Sequence, residues 1–125
     1  MKKWMGLIIA FTLVFSLAAC GGNGDSDTSN AAVETNESGA TELKIIATNW
    51  QFDQETYTIS KDTPIDFVLD SQEGYHGVKI KGLGIELEKD NKKQYKITEA
   101  GEYEIVCNII CGAGHSEMKA TLIVQ

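Results

Sequence analysis

The chain has 125 residues, a formal net charge of −7 and a hydrophobic content of 42%. That length is about one domain's worth. There is no arginine and the lysines are scattered, which makes nucleic acid a poor candidate partner, since phosphate contacts need clustered cations; an acidic protein more readily meets a basic partner.

Residues 1–19 read as an export signal. Lys2 and Lys3 supply a positive end, Trp4 to Ala19 is almost wholly apolar, and the run ends on the small residues Ala18 and Ala19, as signal-peptide cleavage requires. It is short for a membrane span of roughly 20 residues. The stretch LAAC at Leu17 to Cys20 resembles the lipobox of bacterial lipoproteins. That resemblance implies cleavage before Cys20 and a diacylglyceryl group on its thiol, placing the protein on the outer face of the cytoplasmic membrane as an exported, lipid-anchored chain. Removal of two lysines and no acid would take the formal charge from −7 to −9.

Residues 20–42 follow as the lipidated cysteine and a linker. Gly21 to Glu42 is rich in Gly, Ser, Thr and Asn and has no aromatic residue, so it cannot bury enough apolar surface to order itself. As a flexible coil it would reach roughly 26 Å.

From Leu43 the texture changes. LKIIATNWQF, ETYTIS, IDFVLD, YEIVCNII and MKATLIVQ are rich in β-branched and aromatic residues and are separated by SKDTP, SQEGYHG, KGLG, KDNKK and EAGE. Short alternating runs between turn segments predict an all-β domain over 43–125, a small antiparallel sandwich or barrel. A core of this size is marginal and invites a staple of disulfide or metal.

The chemistry gathers in CNIICGAGHSEM, Cys107 to Met118, where Cys107, Cys111, His115 and Met118 are spaced four, four and three. A Cys107–Cys111 disulfide would suit an oxidising compartment, but the loop it closes is too short to constrain much of the unfolded chain. A metal site uses more of the residues. Gly112 and Gly114 give the loop freedom to fold around an ion, thiolate and thioether select soft metals, and imidazole narrows these to copper or zinc. The chain's other histidine, His76, lies in a loop after IDFVLD, where a sandwich could bring it beside the last strands. His76, Cys111, His115 and Met118 would make a one-copper site of two His, one Cys and an axial Met, with Cys107 left over. A closed zinc site of two Cys and two His would leave Met118 unused. Two neighbouring thiolates can instead bridge two coppers, which uses all five side chains.

The order His76, then Cys-x₃-Cys-x₃-His-x₂-Met, resembles the copper domain of cytochrome c oxidase subunit II, the cupredoxin that carries the binuclear CuA centre. ATNWQFD with Trp50, YHGVKIKGLGIELE and GEYEIVCNIICGAGHSEM are similar to that domain too, so the likeness covers residues 43–125. It implies a cupredoxin-like Greek-key β-sandwich or barrel holding two copper ions. Cys107 and Cys111 would bridge both, His76 and His115 would bind one each, Met118 would be a weak axial ligand, and the Ile109 backbone carbonyl the other. The family often has an acidic or polar residue where Ile109 stands, and its subunit normally begins with a transmembrane hairpin in place of a lipid and a tether.

No base–nucleophile pair accompanies the cluster, so the chain shows no catalytic site of its own. The expected function is one-electron transfer between a cytochrome c-like donor and a respiratory oxidase or similar acceptor, with a place in an oxidase-like system as its electron-entry component. A copper-delivery lipoprotein using the same loop is the alternative, and a structural lipoprotein with a disulfide a third.

Overall fold

The computed structural model describes residues 31–125. The expected signal segment 1–19, Cys20 and the first part of the linker lie outside the described residues.

Among the described residues ten strands form two five-stranded sheets. In chain order they are β1 (Ala32–Glu34), β2 (Thr41–Thr48), β3 (Gln51–Phe52), β4 (Thr56–Ile59), β5 (Pro64–Ser71), β6 (Val78–Ile80), β7 (Ile85–Leu87), β8 (Lys92–Ile97), β9 (Gly101–Cys107) and β10 (Lys119–Val124). One sheet runs β1-β8-β5-β2-β3 and the other β4-β10-β9-β6-β7. A three-residue 3-10 turn, His115–Glu117, lies between β9 and β10. Among the described residues no helix is long and apolar enough to cross a membrane.

Period-two burial builds the core between the sheets. Along β5 the buried residues are Ile65, Phe67, Leu69 and Ser71, alternating with half-exposed Asp66, Val68 and Asp70. Ile45 and Ala47 from β2 and Ile105, Leu122 and Val124 from the opposite sheet close on them. Phe67 meets Tyr95 of β8 edge-on, with ring centroids 6.3 Å apart, a favoured aromatic geometry.

The architecture departs from the sequence expectation in three places. The sandwich is mixed rather than antiparallel: β2 pairs parallel to β5 and β4 parallel to β10. Between β2 and β5 the chain crosses to the other sheet as β4, the long connection that a parallel pair needs. The run LKIIATNWQF is split into β2 and β3, and β8 begins inside the segment read as a turn, at Lys92.

The third departure concerns the linker. Order begins before Leu43: β1 pairs antiparallel with β8, with Ala32 opposite Ile97 and Glu34 opposite Tyr95, and β2 begins at Thr41. Composition makes this stretch read as tether because its partners are elsewhere in the chain. Ala31 is buried, and Gln94 holds the segment with its side chain. The Gln94 carbonyl accepts bonds from the Thr35 hydroxyl at 2.8 Å and the Glu37 amide at 2.6 Å, and its NH₂ donates to the Glu37 carbonyl at 3.1 Å.

Candidate metal centre

The core alternation supplies three of the candidate donors directly. In β6 the inward residues Val78 and Ile80 are fully buried, and His76, two positions earlier, keeps their phase at 0% exposure. In β9 the inward Ile105 is followed two residues later by Cys107, 5% exposed. Met118 stands two residues before the buried Ala120 of β10 and is 1% exposed. These strands adjoin, with Val78 opposite Cys107 and Lys119 opposite Val106, so a side-chain period of two brings all three donors to one end of the core.

Cys111 and His115 come from the loop between β9 and β10 and close the cluster from above. Its base is tied across the strands, the Cys107 amide donating to the Met118 carbonyl and the Asn108 amide to the Gly77 carbonyl, both at 3.3 Å. Beyond Cys111 the 3-10 turn is set by the His115 amide on the Gly112 carbonyl at 3.2 Å and the Glu117 amide on the Gly114 carbonyl at 3.0 Å. The Trp50 indole N–H donates to the Cys111 carbonyl at 3.2 Å, pinning the loop to the turn between β2 and β3.

The two sulfurs lie 3.6 Å apart and both thiols are free, so the pair is not joined in this structure, a bridge needing about 2.05 Å. Each thiol has its own imidazole: Cys107 Sγ is 3.9 Å from His76 Nδ1, and Cys111 Sγ is 3.6 Å from His115 Nδ1. The two outer donors also divide between the thiols, with the Ile109 carbonyl oxygen 3.1 Å from Cys107 Sγ and Met118 Sδ 3.7 Å from Cys111 Sγ. All six residues singled out from the sequence therefore meet. Among the described residues, His76, Cys107 and Cys111 place their donor atoms within 4.8 Å of one another.

Burial, with a hydrogen bond to the neighbouring Cys107, pushes the Cys111 thiol up to about 11. A thiol there is protonated at neutral pH, so a cation that takes it as thiolate must displace a proton. His76 Nε2, on the far side of its ring from the thiols, is buried without a hydrogen-bond partner. The donor chemistry fits a soft metal: two thiols, two imidazoles and a thioether select copper, and zinc has no use for the thioether.

Two neighbours of the cluster have no role that the sequence alone assigns. Trp50, 41% exposed, reads there only as an aromatic of the first strand, and Asn49 carries no signal at all. The side chains of Tyr75 and Ile110 stand exposed near the same end, Ile110 at 89%.

No protein-family model matches the chain. In sequence it is similar to cytochrome c oxidase subunit 2 of Thermus thermophilus, 27% identical over 104 residues that cover 80% of this chain and 76% of that protein. A second subunit 2 from the same species is also 27% identical, over 80% of this chain and 61% of its own length, so the chain spans under two thirds of that relative. Its fold matches the periplasmic domain of subunit II of cytochrome oxidase of Bradyrhizobium japonicum with a TM-score of 0.61 and 14% identity, over 68% of this chain and 83% of that one. Auracyanin B superposes with a TM-score of 0.56 and 16% identity, covering 78% and 99% of the two chains. The described domain has a cupredoxin-like fold, and in sequence it is similar to cytochrome c oxidase subunit 2.

Proposed function

We propose that this chain is an extracytoplasmic copper protein of electron transfer, carrying a binuclear centre and held at the membrane through Cys20. In this reading it passes single electrons from a cytochrome c-like donor to a respiratory oxidase or similar acceptor. The observation that carries the proposal is the paired division of donors: two free thiols 3.6 Å apart, each with its own imidazole nitrogen within 3.9 Å. A one-metal site has no need of the second thiol–imidazole pair. The likeness to cytochrome c oxidase subunit 2 supports the same reading.

His76, Cys107, Cys111, His115, Met118 and the Ile109 carbonyl would hold the metal. Copper bound there supplies one-electron redox chemistry. The protein's part is to keep the donors still. Cys107 is anchored in β9, Met118 abuts β10, and His76 is buried at the entry to β6, so a change of charge meets a frame that does not have to rearrange. Burial also shields Cys107, while Cys111 stays partly exposed. His115 is only half-buried, which makes its side of the cluster the nearest approach for a partner protein. The burial of His76, Cys107 and Met118 argues against copper delivery, because an acceptor could reach only the His115 side of the cluster.

The test is electron exchange with reduced cytochrome c in a stopped-flow mixer, with a chelator present in excess. The proposal expects oxidation of the cytochrome while copper stays on the protein. Copper lost to the chelator without electron exchange would reverse the assignment in favour of delivery.

A further inference from the structure

His76 needs a second partner. A metal-binding histidine ordinarily donates its other ring N–H to an acceptor, which fixes the tautomer and the ring orientation. His76 Nε2 is fully buried and has no partner among the described residues, although buried polar groups as a rule have one.

Beside it lies Gly74, in left-handed backbone at φ +73, a conformation that glycine adopts freely. A Cβ at Gly74 would lie 3.2 Å from His76 Nε2 and 2.8 Å from Asn49 Oδ1. The imidazole nitrogen and the carboxamide oxygen thus line the same side-chain-free spot. Both walls of that spot are held. The Ser71 hydroxyl donates to the Gly74 carbonyl at 3.1 Å, and the Asn49 amide donates to the Glu73 carboxylate at 3.2 Å. Asn49 itself is exposed, so its carboxamide can turn without disturbing the core.

We propose that Asn49 is a positioning residue for His76. Its carboxamide oxygen accepts a hydrogen bond from the Nε2–H across the gap that Gly74 leaves, and this keeps the Nδ1 lone pair facing Cys107. Nδ1 is the nitrogen already turned towards that thiol, at 3.9 Å. Glycine is required at position 74 on this account because any side chain would part the two atoms. The inference rests on His76 being a ligand, and it adds the group that makes His76 a competent one.

The test uses the full-length chain, reduced and copper-free, with ¹⁵N-labelled histidine. Ring-nitrogen shifts report the tautomer, and wild type is expected to show His76 protonated on Nε2. Asn49→Val should mix the tautomers and weaken copper binding by roughly 10–100-fold. Asn49→Asp retains an acceptor and should keep both properties near wild type. Gly74→Ala should act like Asn49→Val although Asn49 is still present, and urea midpoints identify any variant that has merely lost its fold. An unchanged tautomer and unchanged copper affinity in Asn49→Val, or in a folded Gly74→Ala, would overturn the proposal. If His76→Ala binds copper as wild type does, the ligand reading fails separately, and the tautomer comparison still decides the role of Asn49.

Discussion

Gly114 illustrates how tightly the β9–β10 loop is fitted to the sandwich. Its backbone is ordinary, with φ −93 and ψ 9, so the reason for glycine is space. A Cβ there would lie 2.4 Å from Trp50 Cβ and 2.5 Å from Trp50 Cγ, against the roughly 3.5–4.0 Å of a favourable carbon contact. Gly114→Ala must therefore push the loop or the Trp50 turn by about 1 Å. Overpacking of that kind costs about 1–3 kcal/mol, offset by about 0.4–1 kcal/mol from the reduced freedom of the unfolded chain. We expect a net loss of about 1–2 kcal/mol, read as a lower urea midpoint with an unchanged slope. Trp50→Ala keeps the Cβ, so most of the penalty should remain in that background. In a Trp50→Gly background it should vanish, and Gly114→Ala should become neutral or slightly stabilising. A double-mutant cycle isolates this difference from the cost of losing the indole itself. Equal effects of Gly114→Ala in wild type and in Trp50→Gly would refute the contact.

Other perturbations address the frame. Phe67→Ala removes a fully buried ring from the centre of the sandwich and should cost about 3–5 kcal/mol in a denaturant melt. Gln94→Ala breaks the side-chain bonds that hold residues 35–37; hydrogen exchange should then speed up at β1 while the β9–β10 loop keeps its protection. Acid should weaken the fold partly through Asp53. Burial works against its ionisation but is outweighed by bonds from the Tyr57 hydroxyl at 2.6 Å, the Ile46 amide and Gln54, so its carboxyl sits below the usual value of 3.8. The unfolded chain then holds its proton more tightly. This contribution is present above about 3.8 and is lost as pH falls through the lower folded value. For a solvent-screened group it amounts to at most about 1 kcal/mol, and urea midpoints from pH 6 downwards should fall less steeply in Tyr57→Phe than in wild type.

Much of the candidate site was legible in the sequence because its proposed donors follow local rules. Cys107, Cys111, His115 and Met118 lie within one strand end and one loop, so their spacing carries their proximity. His76 could be added because a strand-rich chain with two histidines leaves few other partners. Asn49 and Gly74 could not be found this way. Their relation to His76 exists only once the β2–β3 turn and the β5–β6 loop meet at one end of the sandwich, and neither residue type signals a metal site alone. The parallel pairs were hidden for a similar reason, since short alternating strands look the same whichever neighbour they take. β1 was missed because AVE is too short to show a period, and its order comes from β8 and Gln94, far along the chain.

The most direct test of the central claim is the electron paramagnetic resonance spectrum of the oxidised, copper-loaded protein, with copper counted per chain on the same sample. Two coppers per chain and one unpaired electron shared over both nuclei is the predicted result, falling to one localised copper or none in Cys107→Ser. One copper per wild-type chain, or two coppers with separate localised signals, would contradict the account.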